Sequence, residues 1–277
     1  MRTIFVIFDS LNRKALDIYG GTAVDTPNFR RLAARGVTFD NHYCGSMPCM
    51  PARRDMHTGR LNFMHRPWGP LEPFDNSFAR SMGEAGIYAH LVTDHMHYIE
   101  NGGTGYCTQF ESWDVVRGQE HDAVKGMVQP PLDVFSEQFD PKHYPFDRLP
   151  QGRPATMQTS DIIAWRRLRH ATNTLFMREE KDFPTPRVFA GALEFLDLNR
   201  EAEEFFLQIE CFSPHEPFCA PDRFHEAHAT GRNGKILNWP SYEHVTDSPE
   251  EIAEIRANYA ACVAQCDHYL GRLLDWM

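Results

Sequence analysis

A short segment around Cys49 brings a nucleophilic side chain close to a positive charge. The segment reads Cys49-Met-Pro-Ala-Arg53, and its proline suits the first turn of a helix. We therefore expect Cys49 at or just before a helix N-terminus, where free N–H groups and the helix dipole attract anions. Arg53 would lie one turn later on the same face. These residues predict a site for an oxyanion, with a buried unreactive cysteine and a reactive thiolate left open as alternatives.

Two further candidates follow predicted strands. Asp9 ends the apolar run of residues 3–8, and ligands bind at the carboxyl ends of strands in open α/β sheets. His215 stands between two prolines shortly after the apolar run of residues 205–209. Both residues also have structural explanations, since Asp9 could cap a turn and His215 could be a loop histidine held by its proline neighbours.

The segment Asp94-His-Met-His97 directly follows the predicted strand 88–93. An aspartate and two histidines in one short segment could indicate a zinc site. However, no cysteine or histidine with convincing metal-ligand spacing lies nearby in the sequence. The segment alone is therefore a weak indication of zinc.

The predicted elements alternate between strands and helices. This alternation is typical of an α/β fold with a mainly parallel sheet and helices on both faces. Strands are predicted at residues 3–8, 37–39, 88–93 and 205–209, and helices over 25–36, 78–85 and 249–276 and near 165–169. Residues 118–158 contain many prolines and little periodicity, so we expect them to form an irregular excursion over the surface.

The bulk composition narrows the function. A net charge of −10 argues against a nucleic-acid groove, whereas a few local cations or a metal ion could still attract a small anionic substrate. The seven cysteines are irregularly spaced without a C-x-x-C pair, which favours reduced thiols and a cytoplasmic location. We find neither a signal peptide nor an apolar run long enough to cross a membrane.

The order of residues after Cys49 resembles the sulfatase signature C-x-P-[SA]-R followed by T-G. The matching residues are Cys49, Pro51, Ala52, Arg53, Thr58 and Gly59. The resemblance implies that a formylglycine-generating enzyme oxidises Cys49 to formylglycine, the nucleophile for metal-dependent hydrolysis of a small anionic sulfate ester. Ala52 replaces the commoner serine and is similar to the form in some sulfatases and in phosphonate monoester hydrolases. A phosphonate monoester or phosphodiester hydrolase with the same nucleophile is therefore the alternative.

The resemblance also assigns roles to the other candidates. It implies that Asp9 binds a divalent cation together with the nucleophile at position 49, although Ser10 stands where sulfatases usually have a second aspartate. The expected ion is Ca²⁺, with Mg²⁺ or Mn²⁺ as alternatives. His215 matches the substrate-contacting histidine of a P-H-x-P segment. The family's G-K-W-H segment has no lysine counterpart here, so His97, in preference to His95, is the expected substrate donor.

The resemblance covers residues 3–277 in the family's order and implies an alkaline-phosphatase-like fold. Residues 1–277 then form the N-terminal portion of a single catalytic domain, apparently truncated, because the family's later metal-binding motif and a cationic residue do not follow Leu274. Asp267 belongs to a D-x-x-x-G-x-[LI]-[LI] landmark and is assigned no catalytic role. We expect residues 1–277 alone to be inactive, and an exposed sheet edge to allow oligomerisation. A catalytically incomplete fragment or homologue is the remaining alternative.

Overall fold

A computed structural model describes residues 1–100, 104–151, 159–242 and 245–277. The strands are β1 (Arg2–Phe8), β2 (Ala89–Thr93), β3 (Ser112–Val115) and β4 (Phe205–Cys211). The helices are α1 (Pro27–Ala33), α2 (Cys49–Thr58), α3 (Phe78–Glu84), α4 (His97–Glu100), α5 (Leu132–Gln138), α6 (Thr159–Thr174), α7 (Pro184–Leu198), α8 (Asp222–Ala227) and α9 (Pro249–Trp276). Short 3-10 turns connect several of them.

The described strands form one parallel sheet in the order β1-β4-β2-β3. β1 pairs with β4 along its whole length, and the last pair is Phe8 with Cys211. β2 pairs with β4 on the other side and ends where Thr93 lies opposite Glu210. The three strands therefore deliver Asp9, Asp94 and Phe212 to one edge of the sheet, as the sequence predicts for a parallel arrangement.

Alternation along the strands sends apolar side chains to both faces of the sheet. On one face, Val92, Leu207 and Ile209 pack with residues of α7 and α9. On the other, Leu91 and Phe206 pack with Met50 of α2 and neighbouring residues. Because both faces are covered, the strands read as nearly continuous apolar runs. The predicted α/β fold with helices on both faces is confirmed.

The C-terminal helix α9 follows its predicted bounds closely. Ser248 and Glu251 form a reciprocal capping box at its start, which satisfies free N–H groups of the first turn. Farther along α9, Asp267 Oδ1 accepts hydrogen bonds from the backbone N–H groups of Asn28 and Phe29, at 2.9 Å each. Asp267 thus caps the start of α1, which is a structural role in agreement with the absence of a catalytic assignment.

Three sequence predictions need correction. Residues 37–39 form no strand: Val37 is 81% exposed and pairs with no described strand. The strand β3 was missed because its residues Ser112–Val115 are only partly buried and lack a strong apolar pattern. The segment 118–158 contains α5, and aromatic residues that include Phe135 and Tyr144 are fully buried in a separate cluster. It is therefore not simply an irregular surface excursion, while residues 152–158 lie outside the described part.

The outer side of β1 remains open in the described sheet. β1 pairs with β4 alone, and an apolar cavity of about 450 Å³ lies between β1, α1 and α9. An open strand edge beside apolar side chains favours pairing with another strand. The observation agrees with the expectation of oligomerisation, which stays a prediction. Within the described residues, no helix combines the length and apolar character needed to span a bilayer.

Candidate active site

A cavity of about 1230 Å³ opens at the carboxyl edge of the sheet. It receives residues from the ends of β1, β2 and β4 and from the N-terminus of α2. Its lining includes all five predicted site residues together with several others: Asp9, Ser10, Cys49, Ala52, Arg53, Trp68, His97, Glu100, Glu120, Arg166, His215 and Tyr242. The structure therefore brings together residues that lie far apart in the sequence, such as Asp9 and His215, while their individual roles stay predictions.

Cys49 is the first residue of α2, as predicted, and Arg53 lies one helical turn later. Burial and the nearby charge of Asp9 raise the pKa of the Cys49 thiol to about 12, despite the opposing charge of Arg53. The thiol is therefore neutral near pH 7, which disfavours the reactive thiolate alternative. Under the formylglycine hypothesis, Sγ marks the place at the helix N-terminus where the oxygen nucleophile would stand.

Asp9 is held from several sides. Ser10 adopts a left-handed backbone conformation, with φ of 59°, and its hydroxyl donates to Asp9 Oδ1 over 2.9 Å. The other oxygen, Oδ2, lies 2.8 Å from Arg53 Nη2 and 3.4 Å from His95 Nε2. Burial by itself would raise the pKa of Asp9, but the contacts with His95 and Arg53 outweigh it and hold this pKa well below its usual value. Asp9 is consequently a carboxylate.

His95 is a member of the site that the sequence prediction placed second to His97. Ligand atoms of Asp9, Cys49 and His95 all lie within 4.8 Å of one another. His95 is fully buried, and neither of its ring nitrogens makes a hydrogen bond with the described residues. A buried imidazole without a hydrogen bond, beside a carboxylate that is already ion-paired with Arg53, fits a metal ion. Sequence spacing could not show this group because its members come from β1, α2 and β2.

His97 lies in a ring of alternating histidines and carboxylates. Its Nδ1 is 2.5 Å from Glu100 and its Nε2 is 3.2 Å from Glu120. His121 contacts the same two carboxylates, at 2.9 Å and 3.0 Å. Burial opposes protonation of His97, but the two carboxylates outweigh burial and raise its pKa to about 9. His97 is therefore a protonated donor at neutral pH, and the residues that make it so were not predicted.

His215 lines the cavity from the loop after β4. Its Nδ1 lies 2.6 Å from the backbone carbonyl oxygen of Glu216, and its ring packs on Phe212 with centroids 4.2 Å apart. Because a carbonyl oxygen only accepts hydrogen bonds, we assign the proton to Nδ1. With Nδ1 held by the loop, Nε2 is the nitrogen left to meet a substrate, so the loop restricts the orientation of His215.

The sequence model of the sulfatase family matches residues 2–277. The match covers almost the whole chain. The chain belongs to the sulfatase family.

Known relatives are consistent with this membership and are longer than this chain. An arylsulfatase of Clostridium perfringens is 20% identical over 98% of this chain, which spans 58% of that protein. The phosphonate monoester hydrolase of Agrobacterium radiobacter has a similar fold, with a TM-score of 0.59, 18% identity and coverage of 99% of this chain and 58% of that one. A protein solved in complex with its substrate D-glucosamine-2-N,6-O-disulfate gives a TM-score of 0.62 at 16% identity, covering 99% and 61%.

Proposed function

We propose that the protein hydrolyses sulfate esters with a formylglycine made from Cys49. The observation that carries the proposal is the position of Cys49 at the start of α2, in a cavity shared with buried Arg53 and ionised Asp9. Membership of the sulfatase family supports it. The modification requires a formylglycine-generating enzyme as a transient partner. Hydrated formylglycine supplies one hydroxyl to attack sulfur and a second whose deprotonation expels sulfate and restores the aldehyde.

Arg53 provides the positive charge next to the nucleophile. Its guanidinium is buried, and Glu210 and Asp9 keep its pKa well above the usual value even though burial acts in the opposite direction. A permanently charged, preorganised donor stabilises negative charge on sulfuryl oxygens more strongly in a buried site than in water. Arg53 therefore binds and orients the anionic group of the substrate.

His97 and His215 have different proposed roles in hydrogen bonding and proton transfer. His97 is protonated and lines the cavity, and both of its ring nitrogens contact carboxylates, so donation to the departing ester oxygen requires Nε2 to exchange its longer contact with Glu120 for one with the substrate. His215 carries a proton on Nδ1 and is suited to form a hydrogen bond with the substrate or the nucleophile through Nε2. We propose these roles in place of an assignment based on resemblance alone.

Asp9, His95 and the oxygen nucleophile at position 49 would hold a divalent cation. Such an ion polarises sulfuryl oxygens and favours the ionised nucleophile. Carboxylate ligands agree with the expected Ca²⁺, Mg²⁺ or Mn²⁺, whereas the imidazole of His95 favours Mn²⁺ or Zn²⁺ over Ca²⁺. Measuring the metal content of the purified protein distinguishes these ions directly.

A phosphonate monoester or phosphodiester hydrolase is the second candidate. Ala52 lines the cavity beside Cys49 and carries no hydroxyl, whereas the commoner serine would offer one more donor. The same nucleophile and cation suit attack on phosphorus as well as sulfur. A panel with an aryl sulfate, a phenyl phosphonate monoester and a phosphodiester, compared by kcat/KM, decides between the two classes.

The first test of the proposal is the mass of the peptide that contains Cys49. Protein made together with a formylglycine-generating enzyme should show a decrease of about 18 Da at this residue, from loss of sulfur and two hydrogens and gain of oxygen. The matched control is protein made without that enzyme. An unmodified cysteine in both preparations, with full turnover of the aryl sulfate, would refute the proposed nucleophile and favour a non-catalytic or differently acting homologue.

The redox state of the cysteines is relevant to the cellular compartment of the protein. All seven are free in the structure, and Cys107, Cys211, Cys262 and Cys266 are buried. Unpaired buried thiols agree with a reducing environment. We therefore propose a cytoplasmic location, which fractionation of the producing cells would test.

A further inference from the structure

Glu210 is a charged residue in the middle of the sheet. It is fully buried near the end of β4, in a strand whose other residues are mostly apolar. A buried carboxylate is costly unless partners compensate it. Here Arg53 Nε donates to Oε1 over 2.8 Å, and Tyr98 and Gln208 donate to Oε2 over 2.8 Å and 3.1 Å. These three hydrogen bonds fix the orientation of the Glu210 carboxylate.

Arg53 is shared between Glu210 and Asp9. Its Nη2 lies 2.8 Å from Glu210 Oε1 and 2.8 Å from Asp9 Oδ2, while its Nε points only towards Glu210. Both contacts to Glu210 end on Oε1, and the Nε contact is a hydrogen bond, whereas the contacts of Nη2 with Glu210 and Asp9 are ion-pair contacts. Glu210 thus decides where the guanidinium lies, and Asp9 contacts only part of it.

The position of Glu210 has a consequence for both neighbours. Without this carboxylate, Asp9 would be the remaining anion in contact with Arg53, and the guanidinium would turn towards it. A full Arg53–Asp9 pair would neutralise a proposed metal ligand and use guanidinium N–H groups that the substrate anion would otherwise meet. Stability does not explain the arrangement, because a buried ion pair is often no more stabilising than an apolar residue of similar size.

We propose that Glu210 is a positioning residue that holds the Arg53 guanidinium in its shared position at the cavity wall and limits its contact with Asp9 to one nitrogen. The inference rests on the proposed function, in which Arg53 binds the anionic group of the substrate. Glu210 touches neither substrate nor nucleophile, and it acts through Arg53. Tyr98 and Gln208 support it by hydrogen bonds to its other oxygen, Oε2.

The test uses Glu210→Gln, which keeps the shape of the side chain and removes its charge. Simple electrostatics predicts that removal of a negative charge near the cavity strengthens binding of inorganic sulfate. Loss of positioning predicts the opposite. We expect sulfate to bind about tenfold more weakly by calorimetry, and kcat of the modified protein to fall by about 10-fold to 100-fold, because small displacements of a binding group are costly.

A matched control separates charge from position. Glu216→Gln removes a carboxylate that is also mostly buried near the cavity but whose described contact is with His215, at 3.4 Å. This variant should bind sulfate as tightly as the parent or more tightly. Tyr98→Phe keeps the charge of Glu210 and removes one hydrogen bond to it, so it should weaken sulfate binding in the same direction as Glu210→Gln but less.

A readout without activity or sulfate completes the test. The Nε–H group of Arg53, assigned through Arg53→Lys, should give a slowly exchanging NMR signal in the parent and lose it in Glu210→Gln. Tighter or equal sulfate binding by Glu210→Gln, with the Arg53 signal unchanged, would overturn the inference. If the parent binds no sulfate and Cys49 is never modified, the proposed function fails, and the Arg53 signal alone then decides whether Glu210 positions the arginine. If Glu210→Gln does not fold, Tyr98→Phe decides by the same measurements.

Discussion

Two neighbouring arginines on α2, Arg53 and Arg54, have different surroundings, although both are buried and both pair with carboxylates. Arg54 Nε and Nη2 donate to both oxygens of Asp75, at 2.9 Å and 2.8 Å, and its Nη1 donates to Asn62. Its partners lie close in the sequence and face no large cavity. Arg53 instead meets Asp9 and Glu210, which come from two distant strands, at the wall of the main cavity.

The difference lies in how completely each guanidinium is used. Arg54 forms a bidentate pair that ties α2 to the following segment, an arrangement that supports stability. Arg53 is divided between two carboxylates in a cavity wall, an arrangement that supports recognition of an anion. A buried arginine–carboxylate pair is therefore not by itself evidence of function. The number of distant strands that supply its partners, and the cavity beside it, make the distinction.

The largest effect is expected for substitution of Cys49, the proposed nucleophile, which shares the main cavity with Arg53. Cys49→Ala should lower turnover of the mature protein by at least about 10³-fold, because nucleophile removal eliminates the covalent route. The fold should persist, since Cys49 is only partly buried and the Arg54 pair is untouched. Aryl sulfate kinetics with circular dichroism as a control measure both. Full activity of Cys49→Ala would exclude the assigned nucleophile.

The next effect compares the carboxylate partners. Asp9→Asn should abolish the bound divalent cation and reduce turnover by about 10²-fold to 10³-fold, because it removes a proposed ligand. Asp75→Asn, the matched control, should retain the cation and lose stability instead. Metal analysis by mass spectrometry and chemical denaturation measure the two outcomes. Unchanged metal content and turnover in Asp9→Asn would show that Asp9 is no ligand.

Exchange of the arginines themselves sharpens the comparison. Arg53→Lys keeps a positive charge but loses the planar donor, so turnover should fall by about 10²-fold, and stability should fall too because buried Glu210 loses its Nε partner. Arg54→Lys breaks the bidentate pair with buried Asp75 and should lower the free energy of unfolding by about 2–3 kcal/mol. Equal effects of both substitutions on stability, with equal activity, would contradict the distinction between the two arginines.

The last expected effect is a dependence of stability on pH. The Arg54–Asp75 pair keeps its charges near neutral pH and so does not contribute to it. The folded state raises the pKa of His97 from 6.5 to about 9. The resulting stabilisation is fully present below pH 6.5 and is lost as pH rises through about 9, with an amplitude of up to about 3 kcal/mol. Denaturation midpoints at pH 6 and pH 9.5 measure it. His97→Gln should flatten this dependence, and an unchanged profile would contradict the assigned charge of His97.

Local signals explain which elements could be predicted. The capping box at Ser248, the proline at position 51 and the apolar run 3–8 act within a few residues, and each element forms where these signals indicate. The strand predicted at residues 37–39 is wrong because no described strand lies beside these apolar residues to pair with them. The buried aromatic residues within 118–158 were missed because they pack in a cluster that includes Trp239, far along the chain.

The sequence by itself determined the start of α2, the position of Cys49 within it and the strands that precede Asp9 and His215. These features depend on steric preferences and hydrogen bonds between near neighbours. Only the tertiary structure placed His95 beside Asp9 and Cys49. It also placed Glu100 and Glu120 where they raise the pKa of His97, and Glu210 where it contacts Arg53. Those contacts require the pairing of β4 between β1 and β2, which brings distant residues to one edge. Burial there makes their charges interact strongly, and sequence spacing carries no trace of it.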